Sequence, residues 1–451
     1  MDDQIPTRVT SALIDNRPLS PYQRLILVLC GSVIFLDGLD TQSISVASKS
    51  MAASLKIPLS DFGVIFSVLQ LGGLIGTMLF GYLADRIGRR PLVVTAAFLI
   101  GALTLGTAAV DNYTELLVVR FLGGIGLGGI FPCVLALGAE YVHSKYRGIA
   151  VAILFANYSL GAAIGAMVNG YVLTAFGWRA VFLLGGLLSV AAALAILVWL
   201  PESLDYLVLR GRADKFRAIF DRLFPGDRFE LDDLPIEQPK SRSRSGRVPV
   251  REIFAEGRCA ITLVLMGILL ISYATIKVMT VWLTPLLQTA GVPVLQTSYV
   301  LSGLDIGSML GLGLAGYVIG KFGPTRSLLP AVLVLSATIV LIAFQIASFS
   351  VLLPSGFVIG FAGGIGQSAP MALFAQIYPT RIRSTALGLG GTAGQIGKIA
   401  SPMLVGVLLA NGWQAGSILL AIALLPAGGV LLMLGLVLRP AWFAAGAPRG
   451  A

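Results

Sequence analysis

Apolar runs long enough to cross a bilayer recur along the whole chain, and no other feature of the sequence constrains the fold as strongly. A spanning helix needs about 20 apolar residues. Apolar windows between charged, proline or glycine breaks predict twelve such helices, at 22–48, 59–83, 91–110, 115–139, 148–175, 179–200, 258–288, 295–319, 326–346, 349–375, 384–410 and 413–438. Strands of a membrane barrel would show about ten residues of alternating polarity instead. We therefore expect an all-α integral membrane fold with twelve transmembrane helices.

The composition agrees with a chain that lies mostly in lipid. Of its 451 residues, 56% are apolar and only 12% are Asp, Glu, Lys or Arg, whereas soluble domains contain about 25% charged residues. His143 is the only histidine, and Cys30, Cys133 and Cys259 lie far apart in or beside apolar segments. Neither a histidine-ligated metal site nor a histidine triad can be assembled from these residues. We expect no metal, no catalytic residues and no enzyme activity.

The basic residues lie where they would orient a membrane protein. The net charge is +10. If both termini face the cytoplasm, the opposite loops hold only Lys49, Lys56 and Arg179, and the other basic loop residues all face the cytoplasm. The positive-inside rule then predicts that both termini are cytoplasmic. This distribution explains the excess of basic residues without a nucleic-acid partner. We expect membrane lipid to surround the helices.

One long polar segment divides the chain into two sets of six predicted helices. It contains an acidic patch at 230–233 and the basic run SRSRSGR at 241–247, and a helix is predicted near 211–224. The predicted organisation is a cytoplasmic N-terminal segment at 1–21, a six-helix bundle at 22–200, a cytoplasmic linker at 201–257, a second six-helix bundle at 258–438 and a cytoplasmic tail at 439–451.

The two sets of helices are repeats of one another. The segment GYLADRIGRR at 81–90 returns as GYVIGKFGPT at 316–325, an offset of 235. Arg147 returns as Arg383, and Gly177-Trp178 returns as Gly412-Trp413, at offsets of 236 and 235. Parallel six-helix repeats across a cytoplasmic linker are typical of a transporter whose halves rock around a substrate site near the bilayer midplane.

Four motifs resemble those of the major facilitator superfamily, and the resemblance covers essentially the whole chain. They are GYLADRIGRR at 81–90, RFLGGIGLGG at 120–129, PESLDYL at 201–207 and YPTRIRSTALG at 378–388. Within that superfamily, DGLDT at 37–41 is similar to the helix 1 signature of the aromatic acid:proton symporters, which are bacterial importers of benzoate-like and hydroxycinnamate-like acids. The resemblance implies the bacterial inner membrane, protons as coupling ion with no other cofactor, a small organic anion as substrate, and a monomer.

Ionisable residues inside predicted helices are the candidates for function, because each costs about 3 kcal/mol on insertion scales. Asp37 and Asp40 lie three residues apart and therefore on one face of helix 1. Two neighbouring carboxylates in a low-dielectric site disfavour double ionisation, which makes protonation switchable. We predict that both are proton-coupling residues. The alternative is that one of them caps or pairs with a neighbouring helix.

The remaining intramembrane charges are predicted to contact substrate or each other. Lys398 lies close to the middle of helix 11, where its ammonium needs an anionic partner, and the substrate carboxylate is our expectation. Arg120 lies at a depth similar to that of Asp40, which permits an ion pair that is either structural or gating. Lys277 and Asp305 lie in adjacent helices and predict a mutual salt bridge, with a substrate role or a second proton site as alternatives.

By the offset of 235, Lys277 and Asp305 correspond to the uncharged Gln42 and Gln70 of the first half. Aromatic side chains that could stack on a substrate ring include Trp282 and Phe374 in the second half. The predicted substrate-binding residues are Lys398, Arg120, Lys277, Asp305, Tyr273, Phe35 and Tyr158.

The loop GYLADRIGRR is predicted to act mechanically. Gly81 allows a close helix approach, Asp85 can cap a helix or pair with a basic residue, and the arginines stay in the headgroup zone. The family resemblance implies a latch for the outward-open state, in which Glu140 closes helix 4 near Arg147. The predicted gating residues are Gly81, Asp85, Arg86, Gly88, Arg89, Arg90, Glu140 and Arg147.

These residues predict a proton-coupled secondary transporter that imports a small organic anion, for which we expect an aromatic carboxylate, by alternating access. An alternative is a carrier of a sugar or an aliphatic acid, because PESLDYL at 201–207 also resembles sugar porters. Helix 1 of such carriers usually lacks a paired aspartate. A sensor that does not transport is a further alternative on the same fold, and such a protein would be expected to have a long regulatory tail.

Overall fold

The computed structural model describes residues 14–15, 17–225, 251–255, 258–346 and 348–437. Within these residues, twelve helices are long and apolar enough to cross a membrane. We number them α1 Pro21–Leu55, α2 Phe62–Ile87, α3 Arg89–Ala108, α4 Tyr113–Glu140, α5 Arg147–Phe176, α6 Trp178–Trp199, α7 Cys259–Thr289, α8 Val294–Phe322, α9 Pro324–Phe344, α10 Phe349–Ile377, α11 Thr380–Ala410 and α12 Ala415–Val437. The predicted all-α membrane fold is confirmed.

Helix α1 extends further than the sequence suggested. It begins at a capping box, in which Ser20 accepts from the backbone of Gln23 and the Gln23 side chain accepts from the backbone of Ser20. It continues past Lys49 to Leu55, where Lys56 ends it with φ 55°. Lys49 does not end the helix because its ammonium donates to the carbonyl of Gln288 at 2.6 Å. The polar end of α1 is therefore an interface rather than a loop.

Both halves pack their helices in the same order, which confirms the two six-helix pseudo-repeats. In the first half α1 packs on α5, α2 on α4 and α3 on α6, and in the second half α7 packs on α11, α8 on α10 and α9 on α12. Glycines allow the close approaches: a Cβ at Gly128 would collide with the backbone of Gly73, and one at Gly360 with the carbonyl of Leu304. Small residues at helix interfaces are what membrane packing requires.

The two halves meet at the end of the molecule where α1 finishes, and we call this the closed end. Ser45 donates to the carbonyls of Thr280 and Val281, each at 3.1 Å. Thr280 is the residue that the repeat offset of 235 pairs with Ser45, so the pseudo-twofold axis passes between them. Gln288 Nε2 donates to the carbonyl of Val46 at 3.2 Å. The hydrogen bonds between the halves of the described structure join 42–49 to 280–305.

The hydrogen bonds between the halves of the described structure all lie at the closed end, and we call the opposite end, which carries the linker, the open end. Gly81 on α2 and Gly388 on α11 have no atom within 4 Å of the place where a Cβ would lie. Neither glycine is therefore covered at this end. We call the space between the halves, on the open side of the contacts at the closed end, the central cavity.

Part of the linker is helical, as the sequence indicated near 211–224. Helices span Leu204–Leu209, Ala213–Leu223 and Arg251–Phe254. Phe216 and Phe220 are buried beneath the first half. The predicted boundaries of the domains stay predictions, and residues 1–13 of the N-terminal segment, 226–250 of the linker with both of its charged runs, and the tail at 439–451 lie outside the described residues.

Candidate functional site

Four of the ionisable residues that the sequence singled out meet across the central cavity. Asp37 comes from α1 of the first half, whereas Lys277, Asp305 and Lys398 come from α7, α8 and α11 of the second. Lys277 lies close enough to Lys398, Asp305 and Asp37 for a direct Coulomb interaction with each of them. Two ammonium groups and two carboxylates therefore lie near one another, one carboxylate from the first half and the other three groups from the second.

Asp37 has a carboxylate without a hydrogen-bonding partner. Its side chain is 6% exposed, and it accepts no hydrogen bond and forms no ion pair within 4.0 Å with any described residue. The neighbouring Gly38 lets α1 approach α5, because a side chain there would collide with the carbonyl of Tyr158. A buried carboxylate without a partner is costly to keep ionised. This side chain is therefore suited to bind a proton.

Asp40 is held inside the first half instead. Thr104 of α3 donates to its Oδ1 at 2.9 Å, and Arg120 Nη1 of α4 lies 3.8 Å from its Oδ2. The guanidinium of Arg120 also stacks over Phe182, with 4.7 Å between Cζ and the ring centroid. The ion pair between Asp40 and Arg120, which their similar depths in the membrane suggested, is present. The two aspartates thus differ in surroundings, although the same role was predicted for both.

Arg120 borders a small cavity of the first half rather than the space between the halves. That cavity has a volume of about 10 Å³ and is lined by residues of α1 to α4, including Asp40 and Thr107. The Nε and Nη2 atoms of Arg120 are buried and donate to no described residue. Arg120 was expected among the substrate ligands, but its side chain follows Asp40 into the bundle. We therefore interpret it as the partner of Asp40.

The expected salt bridge between Lys277 and Asp305 is not formed in the described structure. Their charged atoms do not approach within 4.0 Å, and Asp305 Oδ2 instead accepts a hydrogen bond from Gln42 Nε2 at 2.7 Å. The reason is that α1 and α8 approach each other near the closed end, where Gln42 is 1% exposed. Asp305 faces the other half, and Lys277 stays within Coulomb range without contact.

Lys398 lies against an aromatic ring on its own side of the cavity. Its Nζ is 4.7 Å from the centroid of the Tyr273 ring, a cation–π contact. Gly394, one turn earlier on α11, makes room for that ring, because a Cβ there would lie 3.0 Å from it. No carboxylate lies within 4.0 Å of this ammonium among the described residues. Lys398 and Tyr273, both predicted substrate ligands, are thus neighbours.

The other aromatic candidates fall into two groups. Tyr158 and Phe35 are half-buried, and the Tyr158 hydroxyl donates to Thr41 at 3.4 Å, within Coulomb range of Asp37. Trp282 and Phe374 are fully buried. Trp282 donates to the carbonyl of Pro402 at 3.1 Å, and Phe374 stacks on a neighbouring tyrosine. These two rings belong to the helix packing, so stacking on a substrate was a wrong expectation for them.

The gating residues of the first half surround the end of α2. Gly88 ends this helix with φ 101°, and Arg89 forms an ion pair with Glu140, which is 1% exposed. Glu140 was expected near Arg147, but Arg89 is its partner. The buried Nε and Nη2 atoms of Arg147 donate to no described residue.

The remaining gating residues lie at the surface of the open end. Asp85, Arg86 and Gly81 are at least partly exposed, and the Arg86 guanidinium lies 4.3 Å from the centroid of the Tyr82 ring. Arg90 Nη2 donates to the carbonyl of Leu197 at 2.6 Å. Gly81 has no neighbour where a Cβ would lie, so the face that a latch would use is uncovered here.

Glu202 is a residue that the sequence reasoning missed. Its Oε1 accepts hydrogen bonds from the backbone N–H groups of Arg89 at 2.9 Å, Arg90 at 3.1 Å and Ser203 at 2.9 Å. The first two are the unpaired donors of the first turn of α3, where a carboxylate is favoured by both capping and the helix dipole. The signal was present, because Glu202 is one of the two acidic residues of PESLDYL, and only its partners were unknown.

Replacing Glu202 by Ala is expected to lower the melting temperature of the purified protein. Loss of the carboxylate leaves the N–H groups of Arg89 and Arg90 unpaired, and loss of a helix cap costs about 1 kcal/mol. Thermal unfolding in detergent is the measurement, with Glu202→Gln as the matched control. The amide oxygen still accepts, so this variant should lie between Ala and wild type. Equal melting temperatures for all three proteins would contradict the assignment.

The described residues contain no group of three or more His, Cys, Asp and Glu side chains that could hold a metal ion. The side chains around the cavity carry ammonium, carboxylate and phenol groups. These can bind an organic anion, stack on a ring and hold a proton.

Comparison with known proteins identifies the family. The Major Facilitator Superfamily model matches residues 30–304 and 265–449. The chain is 30% identical over 430 residues to the 4-hydroxybenzoate transporter PcaK of Pseudomonas aeruginosa, covering 94% of this chain and 95% of the relative. It is 30% identical over 406 residues to the gallate transporter of Pseudomonas putida, with 88% of each covered.

The fold is similar to that of solved transporters. The nucleoside transporter NupG, in the crystal structure of a mutant form, superposes with a TM-score of 0.69 at 15% identity, covering 94% of this chain and 100% of that one. Twelve spanning helices within the described residues and bacterial relatives together indicate a multi-pass protein of the bacterial inner membrane. The chain thus belongs to the major facilitator superfamily, a family of transporters rather than enzymes, and within it to the aromatic acid:proton symporter-like members.

Proposed function

We propose that the protein is a proton-coupled symporter that imports a small aromatic carboxylate by alternating access. One observation carries this proposal: Asp37, a carboxylate with no hydrogen bond or ion pair to any described residue, lies within Coulomb range of Lys277, which in turn lies within range of Lys398. The relatives named as transporters of 4-hydroxybenzoate and gallate support an aromatic acid as the substrate.

The second half would hold the substrate carboxylate. Lys277 and Lys398 interact with each other through like charges, and neither has a carboxylate within 4.0 Å among the described residues. A substrate carboxylate near both groups would offset their repulsion. Tyr273 and Tyr158 would then flank the ring with aromatic faces. A neutral sugar would leave the repulsion between the two ammonium groups in place, so this pair favours an anion.

Charge balance connects the substrate to the proton. With Lys277, Lys398, Asp37 and Asp305 all ionised, the cavity is neutral, and a bound carboxylate adds one negative charge. Uncompensated charge inside a membrane protein is costly. A proton on Asp37 restores neutrality, which sets one proton per carboxylate and permits the loaded carrier to reorient. Protons are the coupling ion, and a monomer suffices because one chain supplies both walls.

Alternating access requires that the two ends of the boundary open in turn. The basic loops predict that the open end faces the cytoplasm, so the described arrangement corresponds to an inward-open carrier. Gly81 on α2 and Gly388 on α11 have free space beside them. In the outward-open state these faces would come together while the contacts of Ser45 and Gln288 separate.

Uptake of a panel of radiolabelled aromatic and aliphatic acids into cells that express the protein tests this function. We expect at least one aromatic carboxylate to accumulate severalfold above cells with an empty vector, and a protonophore to abolish the accumulation. A sugar such as xylose serves as the control for a neutral substrate. Failure of every aromatic acid to accumulate, while the protein is present in the membrane, would rule out the proposed substrate class.

A further inference from the structure

A single hydrogen bond links the central cavity to the closed end across the boundary between the halves of the described structure. Gln42 Nε2 of α1 donates to Asp305 Oδ2 of α8 at 2.7 Å. Both side chains are buried, and Gln42 Oε1 accepts from no described residue. Gln42 lies one turn before Ser45, and Ser45, Val46 and Lys49 make the other hydrogen bonds of α1 with the second half among the described residues. Opening of the closed end would separate α1 from α8 and break this bond.

Asp305 has a second partner of a different kind. Lys277 of its own half lies within Coulomb range, and so does the phenol of Tyr158 from α5. Lys277 in turn faces Lys398 and Asp37. A substrate carboxylate that binds Lys277 therefore competes with Asp305 for the same positive charge.

We propose that Gln42 is a positioning residue of the transport cycle, which holds the closed end shut by donating to Asp305. The inference rests on the alternating access proposed above. It assigns Asp305 to the gate, between the substrate site and the boundary of the halves.

Accessibility of the closed end tests this without any substrate. Ser45 is fully buried there, so the rate at which a membrane-impermeant maleimide labels Ser45→Cys from outside reports how often the end opens. Cys259, which is exposed, is replaced by Ser, whereas Cys30 and Cys133 are buried. Hydrogen bonds to a charged group correspond to about tenfold or more in an equilibrium. Gln42→Met is expected to raise the labelling rate about tenfold.

A pH series with Gln42→Glu makes the test specific to this contact. The introduced carboxylate and that of Asp305 would face each other and could not both stay ionised at that separation, so closure would require a shared proton. At each pH, the labelling rate of Ser45→Cys with Gln42→Glu is divided by the rate of Ser45→Cys with Gln42 intact. We expect this ratio to be high at about pH 8 and low at about pH 5.5. The charged and titratable groups around the pair, Lys277, Asp37, Tyr158 and Lys398, are unchanged in both backgrounds.

The exchanged pair is the matched control. Gln42→Glu with Asp305→Asn keeps the net charge and restores one donor and one acceptor with reversed polarity, so slow labelling should return at both pH values. The proposal is overturned if Gln42→Met labels at the wild-type rate, or if the exchanged pair labels as fast as Gln42→Glu alone at the higher pH. These outcomes do not depend on which acid is carried, and they are therefore separate from a failure of the aromatic substrate assignment.

Discussion

Replacing Asp37 by Asn is expected to abolish proton-driven accumulation while exchange of substrate across the membrane continues. The amide has the shape of a protonated carboxyl group but can neither bind nor release a proton. In the charge count of the cavity, the Asp37→Asn variant is equivalent to a permanently protonated carboxyl group, so the loaded carrier is neutral and can reorient. The empty carrier would then have a net positive charge, because Asp305 alone would balance the two ammonium groups of Lys277 and Lys398. We therefore expect the empty carrier to reorient slowly.

Proteoliposomes separate these two activities. With one proton per carboxylate, a gradient of two pH units corresponds to an accumulation of about 100-fold, because each unit is worth about 1.4 kcal/mol. Asp37→Asn should reduce this ratio to about one, whereas counterflow with substrate on both sides should stay within about threefold of wild type. Asp111→Asn is the control, since that side chain is 80% exposed at the surface. If the Asp37→Asn variant accumulated substrate to the same ratio as the wild type, the coupling proton would have to bind elsewhere.

The fold could be predicted from the sequence because a bilayer leaves few alternatives. Backbone groups in lipid must bond within their own segment, so hydrophobic length alone identifies spanning helices. The main error concerned α1, which was expected to end at residue 48 and ends at Leu55. Hydropathy assigns Lys49 to a loop, whereas in the folded chain its ammonium finds a carbonyl of the other half. Such ends depend on tertiary contacts that a sequence window does not contain.

The candidate site was only partly predictable for a related reason. The cost of burying a charge identifies Asp37, Asp40, Arg120, Lys277 and Lys398 without any structure. It does not identify partners, because these depend on which helix faces meet and on which end of the boundary is closed. Asp305 was therefore assigned to Lys277, its nearest ionisable residue by topology, although the bond it makes is with Gln42 of the other half. The neutral amide carries no insertion penalty that would draw attention to it.

Glu202, Trp282 and Phe374 show the same difference between what the sequence predicts and what depends on tertiary contacts. Glu202 lies outside the lipid, so hydropathy gives no reason to select it, and its role follows only from the turn that brings it to the start of α3. Trp282 and Phe374 were selected because aromatic rings can stack on a ring. Packing determines otherwise, since both side chains are fully enclosed by neighbouring helices. Chemical type alone cannot separate a cavity wall from a core.

Replacing Asp40 by Asn is expected to cause a large loss of stability that removal of Arg120 partly reverses. Arg120 is 3% exposed, and apart from the Asp40 carboxylate, the face of Phe182 is the contact that the described structure gives its charge. Breaking a buried ion pair from one side leaves an uncompensated charge and costs about 3–5 kcal/mol. Thr104 would still donate to the amide oxygen of the Asp40→Asn variant, so the loss reflects the guanidinium rather than the hydroxyl.

A double-mutant cycle measures this coupling directly. Thermal unfolding of the purified wild type, Asp40→Asn, Arg120→Met and the double variant should show the double variant more stable than Asp40→Asn, because Met fills the space of the stem without a charge. The reverse single variant, Arg120→Met, should cost less, since Thr104 continues to bond with Asp40. Asp40→Asn alone should lose exchange as well as accumulation, in contrast to Asp37→Asn, because it disturbs the first half itself. Additive effects in the cycle would mean that the 3.8 Å separation is too long for a stabilising pair, and Asp40 would then return to consideration as a second proton-binding residue.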